Sequence, residues 1–167
     1  MSFREVRPAE VAQHLRDLAV DLVLARTTTA GPEVESAALR PSPVELFVPF
    51  GHRLAGEPEV ALADLDGERL LTWSAPGTPY TDLLVDRLRA AGASVELVEA
   101  RVTGGGDLPD LEETGAVAVV PEGSPRNGRN ARVAIADDVS LPLLVLWPAG
   151  LPSPAVERLR AGMGTRR

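Results

Sequence analysis

From Val44 to Leu71 the sequence reads VELFVPFGHRLAGEPEVALADLDGERLL. An apolar strand is predicted from Val44 to Phe50. It runs into a Gly51-His52-Arg53-Leu54-Ala55 turn. Further on, the apolar pair Leu70-Leu71 follows an Asp64-Leu65-Asp66-Gly67 turn and predicts a second strand.

The same reading extends in both directions. Phe3 to Val6 suits a short strand. Pro8 to Ala19 predicts a helix, with Pro8 in its first turn and Val11, Leu15 and Leu18 on one face. Asp21 to Ala25 is a buried strand, followed by a polar Thr27-Thr28-Thr29 loop. Arg69 to Trp73 is a strand. Thr78-Pro79 opens a helix that runs through Ala91, with Gly92 at its end and Tyr80, Leu84 and Leu88 on one face. Val95 to Val102 is a strand, and a short helix from Asp107 or Asp110 ends at Gly115. Ala116 to Val120 is wholly apolar, as in the middle of a parallel sheet. Arg132 to Ala136 and Leu143 to Leu146 are strands, and Ser153-Pro154 opens a last helix. Alternating strands and helices predict an α/β protein with mostly parallel sheets.

Composition narrows the chemistry. The chain has 167 residues, enough for one domain or two small lobes. Its net charge is -7, which argues against direct contact with nucleic acid or anionic lipid. All 17 basic residues are arginine, so Schiff-base and phosphate-loop lysines are excluded. With no cysteine, disulfides, thiolate nucleophiles and zinc-thiolate sites are excluded too. The N-terminus, MSFREVRPAE, shows no secretory signal, and no apolar run approaches the ~20 residues of a membrane span. A cytoplasmic protein is expected.

The order of these pieces resembles the effector-binding domain of LysR-type transcriptional regulators. In that family a strand ends in a His-Pro-Leu-Ala turn; here Arg53 stands in the proline's place. Leu18 to Leu24, LAVDLVL, is similar to the family's "L-x-x-G-x-L-D-L-A-L". Glu112 to Glu122, EETGAVAVVPE, resembles "V-A-A-G-L-G-V-A-L-V-P-E". Leu143 to Trp147 and Ser153 to Val156 resemble its "L-x-L-x-W … S-P-A" close. The resemblance implies a type II periplasmic-binding-protein-like fold of two lobes joined by crossing strands. Residues 1–43 and 142–167 would form lobe I, and residues 44–141 lobe II. It further implies an effector held between the lobes, no catalysis and no cofactor. DNA would be read by a separate winged helix-turn-helix that this sequence does not contain. The family's domain also begins with a strand and helix that have no counterpart ahead of Phe3. Lobe I is therefore expected to be incomplete, and the chain to self-associate as a homodimer or higher oligomer, or to fill the gap with one of its own strands.

Ligands of open α/β sheets bind at the carboxyl ends of strands. Three loops qualify. Thr27 and Thr28 follow DLVLA, where hydroxyls can bond a ligand or merely face solvent. Ser74, Gly77 and Thr78 lie between a strand and a helix N-terminus, whose N–H groups suit a carboxylate or phosphate; the Thr78 side chain is expected first of all to cap its own helix, which leaves free backbone N–H groups beside it. Thr103 and Gly104 lie in VTGGGD, which matches neither a dinucleotide fingerprint nor a Walker loop and is otherwise a flexible turn. The resemblance adds Pro121. The expected ligand is a small anionic metabolite. His14 and His52 lie far apart and predict no metal site; no catalytic residue is assigned. The competing readings are an enzyme on the same fold and an interaction module that pairs with other regulators.

Overall fold

The computed structural model describes residues 6, 10–27, 31–101, 109–125, 129–150 and 154–163. The chain forms two compact units, residues 1–41 with 142–167, and residues 42–141.

In the first unit, helix α1 (Val11–Arg16) precedes strands β1 (Val23–Ala25) and β2 (Val34–Ala38). The helix is shorter than the expected 8–19. Asp17 caps it and Leu18 adopts a left-handed φ of 53°. The amide of Ala19 donates to the His14 carbonyl and that of Leu18 to the Leu15 carbonyl, so the helix closes in a Schellman turn with leucine where glycine is usual. Leu18 therefore points outward, 64% exposed, and not onto the inner face with Val11 and Leu15.

The second unit opens with β3 (Ser42–Pro49), then β4 (Glu59–Val60), a 3-10 turn (Leu62–Leu65) and β5 (Arg69–Thr72). Helix α2 (Pro79–Ala90) ends at Gly92, whose φ of 88° and the Ala93 amide bonded to the Leu88 carbonyl satisfy the glycine expectation. Next come β6 (Glu96–Glu99), α3 (Pro109–Thr114), β7 (Ala118–Pro121), β8 (Asn130–Ile135) and β9 (Ser140–Leu141). The first unit then resumes with β10 (Leu144–Pro148) and α4 (Pro154–Met163).

The α/β class stands, but the sheets are mixed where mostly parallel ones were expected. In the first unit β10 lies between β1 and β2, antiparallel to both. In the second, the order is β4-β8-β3-β7, with β3 antiparallel to β7 and β8. The cause is connectivity. A strand arriving from the other unit enters at the edge where β7 and β8 leave. Parallel pairing survives where a crossover returns the chain: β5 with β6, β4 with β8, and a bridge from Leu70 to Val117 that joins β5 to the β7 chain.

β3 is buried from Val44 to Val48 because both its faces are covered. Val44, Leu46 and Val48 pack with Leu84 and Leu88 of α2. Phe47 joins Ala118, Val120 and Leu111 on the opposite face. This two-residue alternation is the pleat read directly as two cores. The turn after β3 is tied down by polar contacts. His52 Nδ1 accepts the Leu54 amide and Nε2 lies 3.0 Å from Glu68 Oε2. Arg53 donates to the other Glu68 oxygen at 2.7 Å, so the arginine in the proline position braces the same turn.

Candidate functional site

Strand direction collects several strand termini at one edge of the second unit. β5, β6 and β7 end there, since Leu70 and Val117 are bridged in parallel. β3 begins there and β8 ends there, since β3 is antiparallel to both β7 and β8. This is the strand-end edge at which α/β sheets bind ligands. Ser74, Gly77, Thr78 and Pro121 all belong to it. Thr27 lies in the first unit, just after β1. Thr28, Thr103 and Gly104 fall outside the described residues.

The turn after β5 is braced by hydroxyls. Thr72 and the fully buried Thr81 both donate to the Ser74 carbonyl, at 3.1 and 2.8 Å. Thr78 occupies the N-cap backbone position but makes no side-chain cap. Its hydroxyl donates instead to the Ala75 carbonyl at 2.8 Å. Pro79 supplies no N–H at the first helical position, which removes one donor from the helix end. Gly77, at φ 86°, donates its amide to Asp82 Oδ1 at 2.9 Å. An acidic side chain of the helix's own first turn thus holds one N–H expected for a ligand anion.

The turn after β7 is built around Arg132. The Ser124 amide and hydroxyl both donate to the Pro121 carbonyl, at 3.1 and 2.6 Å. Arg132, on β8, donates to the Ser124 carbonyl at 2.8 Å and lies 5.7 Å from the Phe47 ring centroid. Its Nε sits 3.1 Å from Glu45 Oε2 on β3.

Glu45 is the unusual group. It is 4% exposed, and its Oε1 is buried with no hydrogen-bonding partner among the described residues. Burial raises its carboxyl above the ordinary range, and Glu122 adds to the rise. The Arg132 guanidinium and the amides of Gly123 and Ser124 oppose it. Neither amide reaches Oε1 in hydrogen-bond geometry. An unpaired buried acceptor costs about 1–3 kcal/mol, and more when charged.

Glu45, Asp82 and Arg132 were not anticipated from the sequence. For Glu45 a signal existed: one charge inside V-E-L-F-V, in a strand covered on both faces. Among the described residues, no group of His, Asp and Glu is arranged to hold a metal ion. Among them, too, no helix is long and apolar enough to cross a membrane.

The LysR substrate binding domain family model matches residues 1–165. No curated protein matches the sequence. The chain is similar in structure to CbnR, a LysR family transcriptional regulator, with TM-score 0.78 and 18% identity; the match covers 97% of this chain and 59% of that one. It is similar to HinK, a LysR family regulator from Pseudomonas aeruginosa, with TM-score 0.72 and 19% identity, over 96% of this chain and 57% of that one. It is also similar to the effector binding domain of BenM with its effector benzoate, with TM-score 0.66 and 17% identity, over 93% of this chain and 76% of that one. The chain therefore spans somewhat more than half the length of the two regulators.

Proposed function

The chain belongs to the LysR substrate binding domain family, and on that premise we propose that it senses a small-molecule effector in transcription control. The family match over residues 1–165 is the observation that carries the reading. The strand-end edge of the second unit supports it, because the turns after β5 and β7 lie there, braced by fixed polar groups. The mechanism is a shift of population: an effector that prefers one arrangement of the protein favours that arrangement.

In this reading the protein acts in the cytoplasm, self-associates and turns over nothing. It makes no sequence-selective contact with DNA, in keeping with its net charge of -7. An anionic effector was expected from the N-terminus of α2. That half of the expectation is the weaker one, because an effector carboxylate at Gly77 would have to replace Asp82.

An enzyme on the same fold would draw on Glu45, whose titration is perturbed. Its ion-pair partner is Arg132, and His52 is engaged by Glu68. This arrangement favours a fixed acceptor over a general base.

A thermal-shift screen of aromatic and aliphatic acids, amino acids, amines and sugar phosphates tests the proposal. Saturable stabilisation by one compound class, without turnover, supports it. Unchanged compound recovered alongside no stabilisation by any class overturns it.

A further inference from the structure

We propose that Glu45 reads a hydrogen-bond donor on the effector, a protonated amine or amidine, through Oε1 at the start of β3. The inference rests on the effector-sensing reading and deepens it by naming a ligand class.

Glu45 faces Val120 across β7 and Ala134 across β8. Its polar surroundings are Arg132 from β8 and Glu122 with the Gly123 and Ser124 amides from the turn after β7. Arg132 meets only one of its two carboxylate oxygens and divides its remaining contacts between the Ser124 carbonyl and the Phe47 ring. The second oxygen is desolvated and unused.

The balance of solvation decides the ligand's sign. The Arg132 side chain is 40% exposed and already hydrated, so a ligand anion there gains little over water. Glu45 Oε1 has lost its water, so a ligand donor there restores a bond that is missing. Glu122 adds negative potential, but less than Arg132 contributes of the opposite sign, so the missing bond at Oε1 and not the net field selects the donor. The turn Pro121–Ser124 flanks the carboxylate, and it is held by Ser124 to the Pro121 carbonyl, Arg132 to the Ser124 carbonyl and the Glu122 amide to the Pro43 carbonyl.

The test uses matched probes on the full chain: benzamidine against benzoate, and arginine against citrulline, by calorimetric titration. The cationic member of each pair is expected to bind at least tenfold tighter, and Glu45→Gln, nearly the same in shape, to remove at least tenfold of that affinity. Should Glu45→Gln fail to fold, titration of the unaltered chain decides instead. Benzamidine stays charged on acidification while Glu45, whose carboxyl burial raises above the ordinary range, takes up a proton sooner than an exposed carboxyl would, so the affinity should fall as pH is lowered. Preference for benzoate and citrulline would overturn the inference and leave effector sensing intact. So would cation binding that ignores both Glu45→Gln and pH. Failure of both cations to bind, while other compounds stabilise the chain, would also overturn it.

Discussion

Arg132 Nε stands 3.1 Å from Glu45 Oε2, so among the described residues a partly exposed guanidinium is the ion-pair partner of a carboxylate side chain only 6% exposed. The pair links β8 to β3. Through the Ser124 carbonyl it also fixes the turn at the candidate site. Replacing Arg132 by Gln leaves the carboxylate buried without its cation. The expected loss is about 2 kcal/mol, between the values for surface and buried pairs. Urea denaturation of Arg132→Gln measures it, and a change below a few tenths of a kcal/mol would show the pair to be slack.

The same carboxyl sets a pH dependence. Its folded pKa lies above the ordinary value of 4.5 because of burial. The folded state therefore binds the proton more readily than the unfolded chain. Between those two values this group's contribution improves as pH falls and worsens as pH rises. Thermal unfolding of the unaltered chain and of Glu45→Gln should show their difference shifting in favour of the unaltered chain from pH 7 to pH 5.

At the α2 N-terminus, Thr78 makes no side-chain cap, and Asp82 instead ties the helix's first turn to the Gly77 amide just ahead of it. Asp82→Ala releases the Gly77 amide and removes an acidic group from the first turn, at an expected loss of about 1 kcal/mol. Thr78→Ala loses one exposed bond to the Ala75 carbonyl and should cost about 0.5 kcal/mol. Chemical denaturation of the two variants gives the order. A larger loss for Thr78→Ala would restore the hydroxyl cap that the sequence suggested.

Leu18 offers a gain. It holds a left-handed φ at the end of α1 and is 64% exposed, so glycine removes strain without losing burial. Leu18→Gly should stabilise the chain by about 1 kcal/mol, read as a higher unfolding midpoint.

Much of this was legible from residue pattern. The apolar run at 44–50 became β3, buried on both faces, and Thr78-Pro79 with Gly92 bracketed α2 within a residue or two. Leu84 and Leu88 are buried as their spacing required. What escaped depended on tertiary pairing. β2, with VESAA, carries no strong strand pattern and exists because β10 offers it a partner. Strand direction followed from where the chain re-enters each unit, which local periodicity does not encode. At the candidate site, Ser74, Gly77, Thr78 and Pro121 do share an edge, yet the Thr78 hydroxyl, the Gly77 amide and the Ser74 carbonyl are spent on their own turn. The groups left with unmet demand, Glu45 above all, acquire it only through burial.

Hydrogen exchange of the chain with and without a compound that stabilises it tests the central claim most directly. Amides of residues 74–81 and 121–124 should gain protection when the compound binds, because both turns lie at the proposed effector edge. Protection confined to other parts of the chain, with these two turns exchanging as before, would contradict effector sensing at this edge.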